Sequence, residues 1–309
     1  LTISLQEHIE RAMALTENRH AQPVIVKELL HYEILQALSN TDLADRLIFQ
    51  GGTALRMCYQ GNRLSEDLDF VCGAGDPEPL DLSQLEKILQ STMQNRYGLS
   101  FESGIEPNRQ LSEAVGVKRW CFKIKLPWES QKQRINFEIC NIPSLDYRPH
   151  VITSPYSHQQ GLQGIVIMAE SREEIYSDKL VALGLRDRLK ARDVWDVQFL
   201  STQNIRPNYD WVAQKVMHYG STDDNYLDSI ERAIERMSTP ESQEAFCSEM
   251  SRFVDMKMAR MFESRPAFAQ AWLTHAVKDL RDLQNSYPQA VFNRDAALQN
   301  EDPDPDKSL

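Results

Sequence analysis

The segment from Leu47 to Cys72 leaves this chain little choice of fold. LIFQGG at 47–52 is a short apolar run ending in two glycines, and TALRMCY follows it, which is the pattern of a strand, a tight turn and a helix. DLDFVC at 67–72 then alternates carboxylate with apolar side chain. Residues two apart on a strand point to the same side, so Leu68 and Phe70 enter a core while Asp67 and Asp69 stand together on the other face. A sheet with one face packed under helices is the architecture that satisfies both halves of this pattern.

The surrounding sequence extends that layer. Residues 5–15 and 23–39 carry apolar side chains at helical spacing, the second through Val26, Leu29, Leu30, Ile34, Leu35 and Leu38, with Pro23 suited to a first turn. The Gly/Pro-rich GAGDPEP closes the DLDFVC strand, Leu82 to Tyr97 reads as an amphipathic helix, and Val117–Leu126 and Arg134–Ile142 read as strands joined by a hairpin-type linker that starts at Pro127. From about 171 to 299 the pattern is helical, with breaks expected at Pro207, Gly220, Pro240 and Pro266. The final NEDPDPDKSL is polar, acidic and proline-containing, and is expected to be disordered. A length of 309 residues suits two moderate domains. The expectation is an α/β (α+β) chain: a sheet domain with N-terminal helices over 1–170, an all-helical domain over 171–299, and a tail over 300–309.

A net charge of -11 argues against a protein that coats nucleic acid with its whole surface, because phosphate binding depends on neutralisation by Lys and Arg. Two local basic groups remain: Lys118, Arg119, Lys123, Lys125, Lys132 and Arg134, and then Arg186, Arg188, Lys190 and Arg192. Each reads either as a solvated face or as phosphate contacts. The five cysteines are odd in number and lack zinc-site spacing, so they read as reduced thiols. With no signal-peptide pattern and no long apolar run, a cytoplasmic protein without a membrane partner is expected.

The carboxylates carry the chemistry. Asp67 and Asp69 side by side repel unless a cation lies between them or one is protonated. Hard oxygen ligands of this kind suit Mg²⁺ or Mn²⁺ shared with substrate phosphates. A DxD alone is common on exposed strands and turns. In RINFEIC, however, Ile135, Phe137 and Ile139 share one face, which leaves Asn136, Glu138 and Cys140 on the other. If this strand neighbours DLDF, three carboxylates converge in the arrangement that two-metal phosphoryl or nucleotidyl transfer requires. Otherwise Glu138 is a rim carboxylate in a salt bridge. Gly51, Gly52 and Thr53 open a helix directly after a strand, where backbone N–H groups can approach a triphosphate, although any tight turn also uses glycine.

GGTAL at 51–55, followed by RLSEDLDF at 63–70, resembles the signature of the AbiEii-like nucleotidyltransferases, the toxin halves of abortive-infection toxin–antitoxin pairs, to which the MenT toxins are related. The fourteen residues between Gly52 and Asp67 are ordinary for that subgroup. EIYSDKLVALGLRDRLKARDVWDVQFL at 174–200 resembles the family's later block, with its Lys and its RDxxD. The resemblance implies a polymerase-β-type sheet domain followed by helices, and Mg²⁺- or Mn²⁺-dependent transfer of a nucleoside monophosphate from a nucleoside triphosphate to an acceptor hydroxyl. It suggests RNA, in particular a tRNA 3′ end, as acceptor, and a separate antitoxin, often a DNA-binding repressor. It places Gly51, Gly52 and Thr53 at the nucleotide phosphates with Arg63 and Ser65 in the same pocket. It gives Asp67, Asp69 and Glu138 to metal and Lys179 to the triphosphate, with Asp193 or Asp196 completing the site.

One straight helix over 175–197 would hold Lys179 and Asp193 about 21 Å apart, too far for one site, so the chain must break around Leu185 to Ala191. Other readings stand beside this one: Lys179 as a solvated helix lysine, and Asp193 as the N-cap of a DVWDVQFL helix. Lys179 adjoins the apolar set Ile175, Leu180 and Leu183 without belonging to it, so Lys179→Ala is expected to change stability by no more than about 0.5 kcal/mol. Competing functions keep the chemistry with a small-molecule or protein acceptor, or discard it for a non-catalytic nucleotide-binding interaction protein. Intact Asp67, Asp69 and Glu138 count against the last.

Overall fold

A computed structural model describes residues 5–16, 22–72, 80–110, 115–152 and 164–301. The GAGDPEP turn and residues 302–309 of the expected tail lie outside the described residues. Two helices lead in, α1 (Leu5–Thr16) and α2 (Gln22–Leu38). Ile25, Leu30, Ile34 and Leu38 of α2 are fully buried, as suits a helix enclosed by core on most sides. Next come β1 (Leu47–Gln50), α3 (Gly51–Cys58), β2 (Leu68–Cys72), α4 (Ser83–Tyr97), β3 (Ser100–Gln110), β4 (Gly116–Lys125), β5 (Lys132–Cys140), β6 (Tyr147–Val151) and β7 (Val166–Glu170).

The seven strands among the described residues form one mixed sheet in the order β3-β4-β5-β2-β1-β7-β6. β2 pairs antiparallel with β1 and parallel with β5, and β1 pairs parallel with β7. The apolar alternation read from the sequence sets the faces. Phe49, Phe70 and Phe137 stack on one side, with ring centroids 5.1 and 4.7 Å apart, and α2 and α4 cover this region. On the other side Asp69 stands beside Gln50 of β1 and Glu138 of β5. That polar row borders a small apolar cluster of Ile48, Val71, Val115, Val117, Cys140 and Ile142.

Three strands are absent from the sequence reading, although all fall inside the expected sheet region. β3 is polar, contains Pro107, and slips register between Glu106 and Arg109. β6 is an edge strand carrying Pro149, a residue tolerated where no ladder donor is needed. β7 reads VIMAE, four apolar residues in a row, and so shows no alternation.

From Arg172 onward the described residues are helical: α5 (Arg172–Leu185), α6 (Ala191–Thr202), α7 (Tyr209–His218), α8 (Asp223–Met237), α9 (Pro240–Met250), α10 (Met256–Ser264) and α11 (Ala269–Glu301). The breaks fall at the expected residues: Pro207 lies before α7, Gly220 after it, Pro240 in the first turn of α9, and Pro266 between α10 and α11. α11 runs through Pro288 and reaches two residues into the segment expected to be disordered. Trp195 and Trp272 stack at 5.4 Å beside Phe246 and Phe262. The main apolar core runs unbroken from the sheet into these helices. The five cysteines are free thiols, and no described helix is long and apolar enough to cross a membrane.

Candidate active site

The β2–β5 pairing sets Asp69 directly opposite Glu138, and Asp67 lies just before β2. All three line a cleft of about 390 Å³, a volume within the usual range for small-molecule sites. Asn136, on the same face of β5, donates from Nδ2 to Asp67 Oδ1 at 2.9 Å. Arg119 donates from Nε to Glu138 Oε1 at 2.9 Å. Glu138 therefore satisfies both readings of the sequence, since it faces the carboxylate pair and also makes a partly exposed ion pair. Burial, followed by the charges of Asp67 and Glu138, pushes Asp69 up to about 7, and Lys179 and Lys190 only partly offset this. This crowded set of acceptor-only oxygens has the donor chemistry of a site for a hard divalent cation.

The glycine turn is explained by the protein itself. Gly51 has φ +76°, and a Cβ there would meet Asp69 Oδ2 at 3.2 Å. A Cβ on Gly52 would come within 2.1 Å of Arg63 Nη2. Gly52 thus makes room for a guanidinium, while Gly51 and Gly52 also line the cleft at the start of α3, whose N-terminus has no side-chain cap. Thr53 does not reach the cleft. It is buried, and its hydroxyl donates to the Asp67 carbonyl and lies 2.8 Å from Ser65 Oγ. Thr53 and Ser65 thereby hold the loop that delivers Asp67, and Ser65 contributes to the cleft wall. The expected phosphate cradle narrows to the backbone of the glycine pair.

The opposite wall comes from the helices. The chain breaks after Leu185 and resumes at Ala191, as the distance argument requires, and this brings Lys179 Nζ to 2.8 Å from Asp193 Oδ1 and 2.9 Å from Asp196 Oδ2. Arg63 grips Asp196 with two bonds of 2.6 Å, and Arg186 Nη1 lies 2.5 Å from Asp193 Oδ2. Asp193 and Asp196 are thus both engaged: Asp193 lines the cleft, and Asp196 lies behind it, anchoring Arg63 and Lys179. Asp193 is not the N-cap of α6, a position held by Lys190. Burial alone would lower the Lys179 pKa, but Asp193 and Asp196 outweigh it and the net shift is upward. In Asp193 burial likewise opposes ionisation and is overcome by Lys179 and Arg186, which leaves its pKa well below the ordinary range.

This overturns two expectations about Lys179. It is buried, not solvated, and its removal is not a surface substitution. Lys179→Ala leaves two buried carboxylates short of a counter-charge, a change that costs about 3–5 kcal/mol in buried pairs. The lower end applies here because Arg63 and Arg186 remain. A thermal midpoint clearly below that of the unaltered chain is the expected result, and an unchanged midpoint would show that the network contributes nothing to the fold.

Behind this wall is a second charged layer. Among the described residues, the carboxylates whose oxygens all approach within 4.8 Å are Glu170, Glu174 and Asp178, not the Asp67–Asp69–Glu138 set. Lys215 of α7 already serves them, with Nζ 2.5 Å from Asp178, 2.7 Å from Glu174 and 3.6 Å from Glu170. A protein ammonium takes the cation's place in this cluster, so it reads as a structural ion cluster. Glu174 also accepts from Ser144 Oγ and from the backbone amides of Leu145 and Asp146, fixing the turn before β6. Burial and then the charge of Asp178 raise the Glu170 pKa well above the usual carboxylate range.

Asn136 and Tyr219 line the cleft without having been sequence candidates, and Arg119, Arg186, Lys190 and Arg192, which the sequence left open between a solvated face and phosphate contacts, line it too. Asn136 was legible from its place on the Glu138 face. Arg119 was not, because its part depends on the β4–β5 register that sets it opposite Glu138.

Residues 33–274 match the family profile described as nucleotidyl transferase AbiEii toxin, type IV toxin–antitoxin system. Two solved structures from Helicobacter pylori are similar to this chain. JHP933 aligns at 18% identity and a TM-score of 0.45, covering 89% of this chain and 97% of its own. A chain with a provisional nucleotidyltransferase designation aligns at 18% identity and a TM-score of 0.45, covering 88% of this chain and 98% of its own. No curated protein matches the sequence.

Proposed function

The chain belongs to the AbiEii family of nucleotidyltransferase toxins, and from that premise we propose that it transfers a nucleoside monophosphate from a nucleoside triphosphate to an acceptor hydroxyl, with Asp67, Asp69 and Glu138 holding Mg²⁺ or Mn²⁺. The observation that carries this reading is the β2–β5 register, which brings Asp69 and Glu138 to one face beside Asp67, at the mouth of an uncapped helix N-terminus. Bound there, the cation supplies charge neutralisation for the phosphates and activation of the attacking oxygen.

The chain's own residues do the positioning. Asn136 orients Asp67 through its Oδ1, and Thr53 fixes the backbone that carries it. The backbone N–H groups of Gly51 and Gly52, at the cleft and at the positive end of α3, offer donors to phosphate oxygens. Arg63, Lys179, Asp193 and Asp196 form a rigid wall that limits where the nucleotide can lie. The acceptor oxygen bonds to the α-phosphorus, the bond to the β-phosphate oxygen breaks, pyrophosphate departs, and the hydroxyl proton passes to solvent.

An RNA acceptor, with a tRNA 3′ end as the specific case, is supported by the basic segment at 186–192, in which Arg188 is exposed and Arg186 and Arg192 line the cleft, offering phosphate contacts despite the acidic whole. The toxin family also entails an antitoxin, proposed here to be a separate DNA-binding repressor, with both proteins acting in the cytoplasm. The test is incubation of the chain with Mg²⁺, each labelled nucleoside triphosphate in turn, and total RNA. Label entering RNA from one nucleotide is expected. Label entering protein or a small molecule instead would move the acceptor, and no transfer under any condition would refute the reading.

A further inference from the structure

The cleft cations differ in how far they are already committed. Arg63 is held by Asp196, Arg119 by Glu138, Lys179 by Asp193 and Asp196, Arg186 by Asp193, and Arg192 by Glu249. Among the described residues Lys190 alone lines the cleft as a cation without an ion pair. Its setting is also unfavourable. It is the N-cap of α6, where the helix dipole disfavours positive charge. Burial, then Arg186, with Arg192 and Lys179 adding to them, hold its ammonium below the usual lysine range, and only Asp193 opposes this. Asp193 is already engaged by two other cations. A half-buried lysine kept against its dipole, its like-charged neighbours and its desolvation fits a group whose counter-ion arrives with a ligand.

The position of Lys190 indicates which ligand. Lys190, where α6 begins on the helical wall, and Asp69, on β2 in the sheet, line the same cleft from its two sides. An anion between Asp69's cation and Lys190 therefore spans the cleft, as a polyphosphate chain does and a single backbone phosphate of an acceptor strand does not. Resting on the nucleotidyl-transfer reading above, we propose that Lys190, rather than Lys179, binds the outer phosphates of the nucleotide and holds the departing pyrophosphate.

The test uses the full chain with inorganic tripolyphosphate and Mg²⁺ as the probe, followed by calorimetry, so that it needs no turnover. Lys190→Met is expected to weaken tripolyphosphate binding roughly 10- to 100-fold, the weight of one charge-assisted hydrogen bond. Lys190→Arg retains most of the affinity. The thermal midpoint of Lys190→Met stays level or rises, because a repelled charge has been removed. Equal affinity in the unaltered chain and Lys190→Met overturns the proposal, as does a loss confined to RNA binding, which assigns Lys190 to the acceptor. Transfer activity without any tripolyphosphate binding overturns the proposal while sparing the function. A chain that neither transfers nucleotides nor binds them refutes both.

Discussion

Asp69→Asn and Asp67→Ala are expected to abolish nucleotide transfer, by at least about 10³-fold, and the Asp69→Asn protein is expected to melt at or above the original temperature. The catalytic loss follows from removing a hard ligand from a site with few others, at least on the scale on which loss of one preorganised electrostatic group acts. The stability side follows from charge. Asp69 is buried, faces Asp67 and Glu138, and is pushed up to about 7, so its ionised form is an electrostatic cost in the protein without a bound cation. A neutral amide of the same shape removes that cost and keeps the packing. Transfer assays and thermal melts on the same preparations test both halves. Substantial residual transfer would remove the carboxylates from the chemistry, and a large drop in midpoint would show that they support the fold.

Lys215→Met is expected to destabilise the chain more than any change in the cleft. Lys215 is fully buried and is the cation for Glu174 and Asp178, with Glu170 a little farther away. Methionine fills most of the volume but leaves carboxylates with no counter-charge, which costs about 3–5 kcal/mol and corresponds to a midpoint shift on the order of 10 °C. Asp178→Asn in the Lys215→Met background should recover part of the loss, since it removes one stranded charge. No recovery would mean that packing, not charge, explains the defect. The β7–α5 junction and the turn at 144–146 are expected to loosen first, because Glu174 ties both to Lys215.

The carboxylate side of the site was legible because alternation is a local signal. RINFEIC and DLDF each state which side chains share a face, and only the adjacency of their strands had to be supplied by the fold. The break between Lys179 and Asp193 was legible from helix geometry alone. The purpose served by these residues was not. Arg63 and Asp196 are 133 positions apart, and nothing near either one shows that they meet, so Arg63 read as a ligand-binding residue when its guanidinium is already bound. Lys215 sits in YDWVAQKVMH, where it resembles any lysine on an amphipathic helix, and its burial depends on carboxylates from β7 and α5. β3 and β6 were hidden for a related reason: edge strands tolerate proline and polar residues that interior strands exclude.

The seat that Gly52 provides for Arg63 restricts how these positions can change over a lineage. A methyl group at position 52 lands 2.1 Å from Arg63 Nη2, so alanine there pushes the guanidinium off its two bonds to Asp196. Losing the arginine first strands Asp196, which would then rely on Lys179 alone. Losing Asp196 first in turn leaves the buried Arg63 without its ion pair, so either order weakens the wall that faces Asp67, Asp69 and Glu138. Residues contributed by a turn, a loop and a distant helix are therefore inherited as one unit, and drift at any of them is held back by the other two.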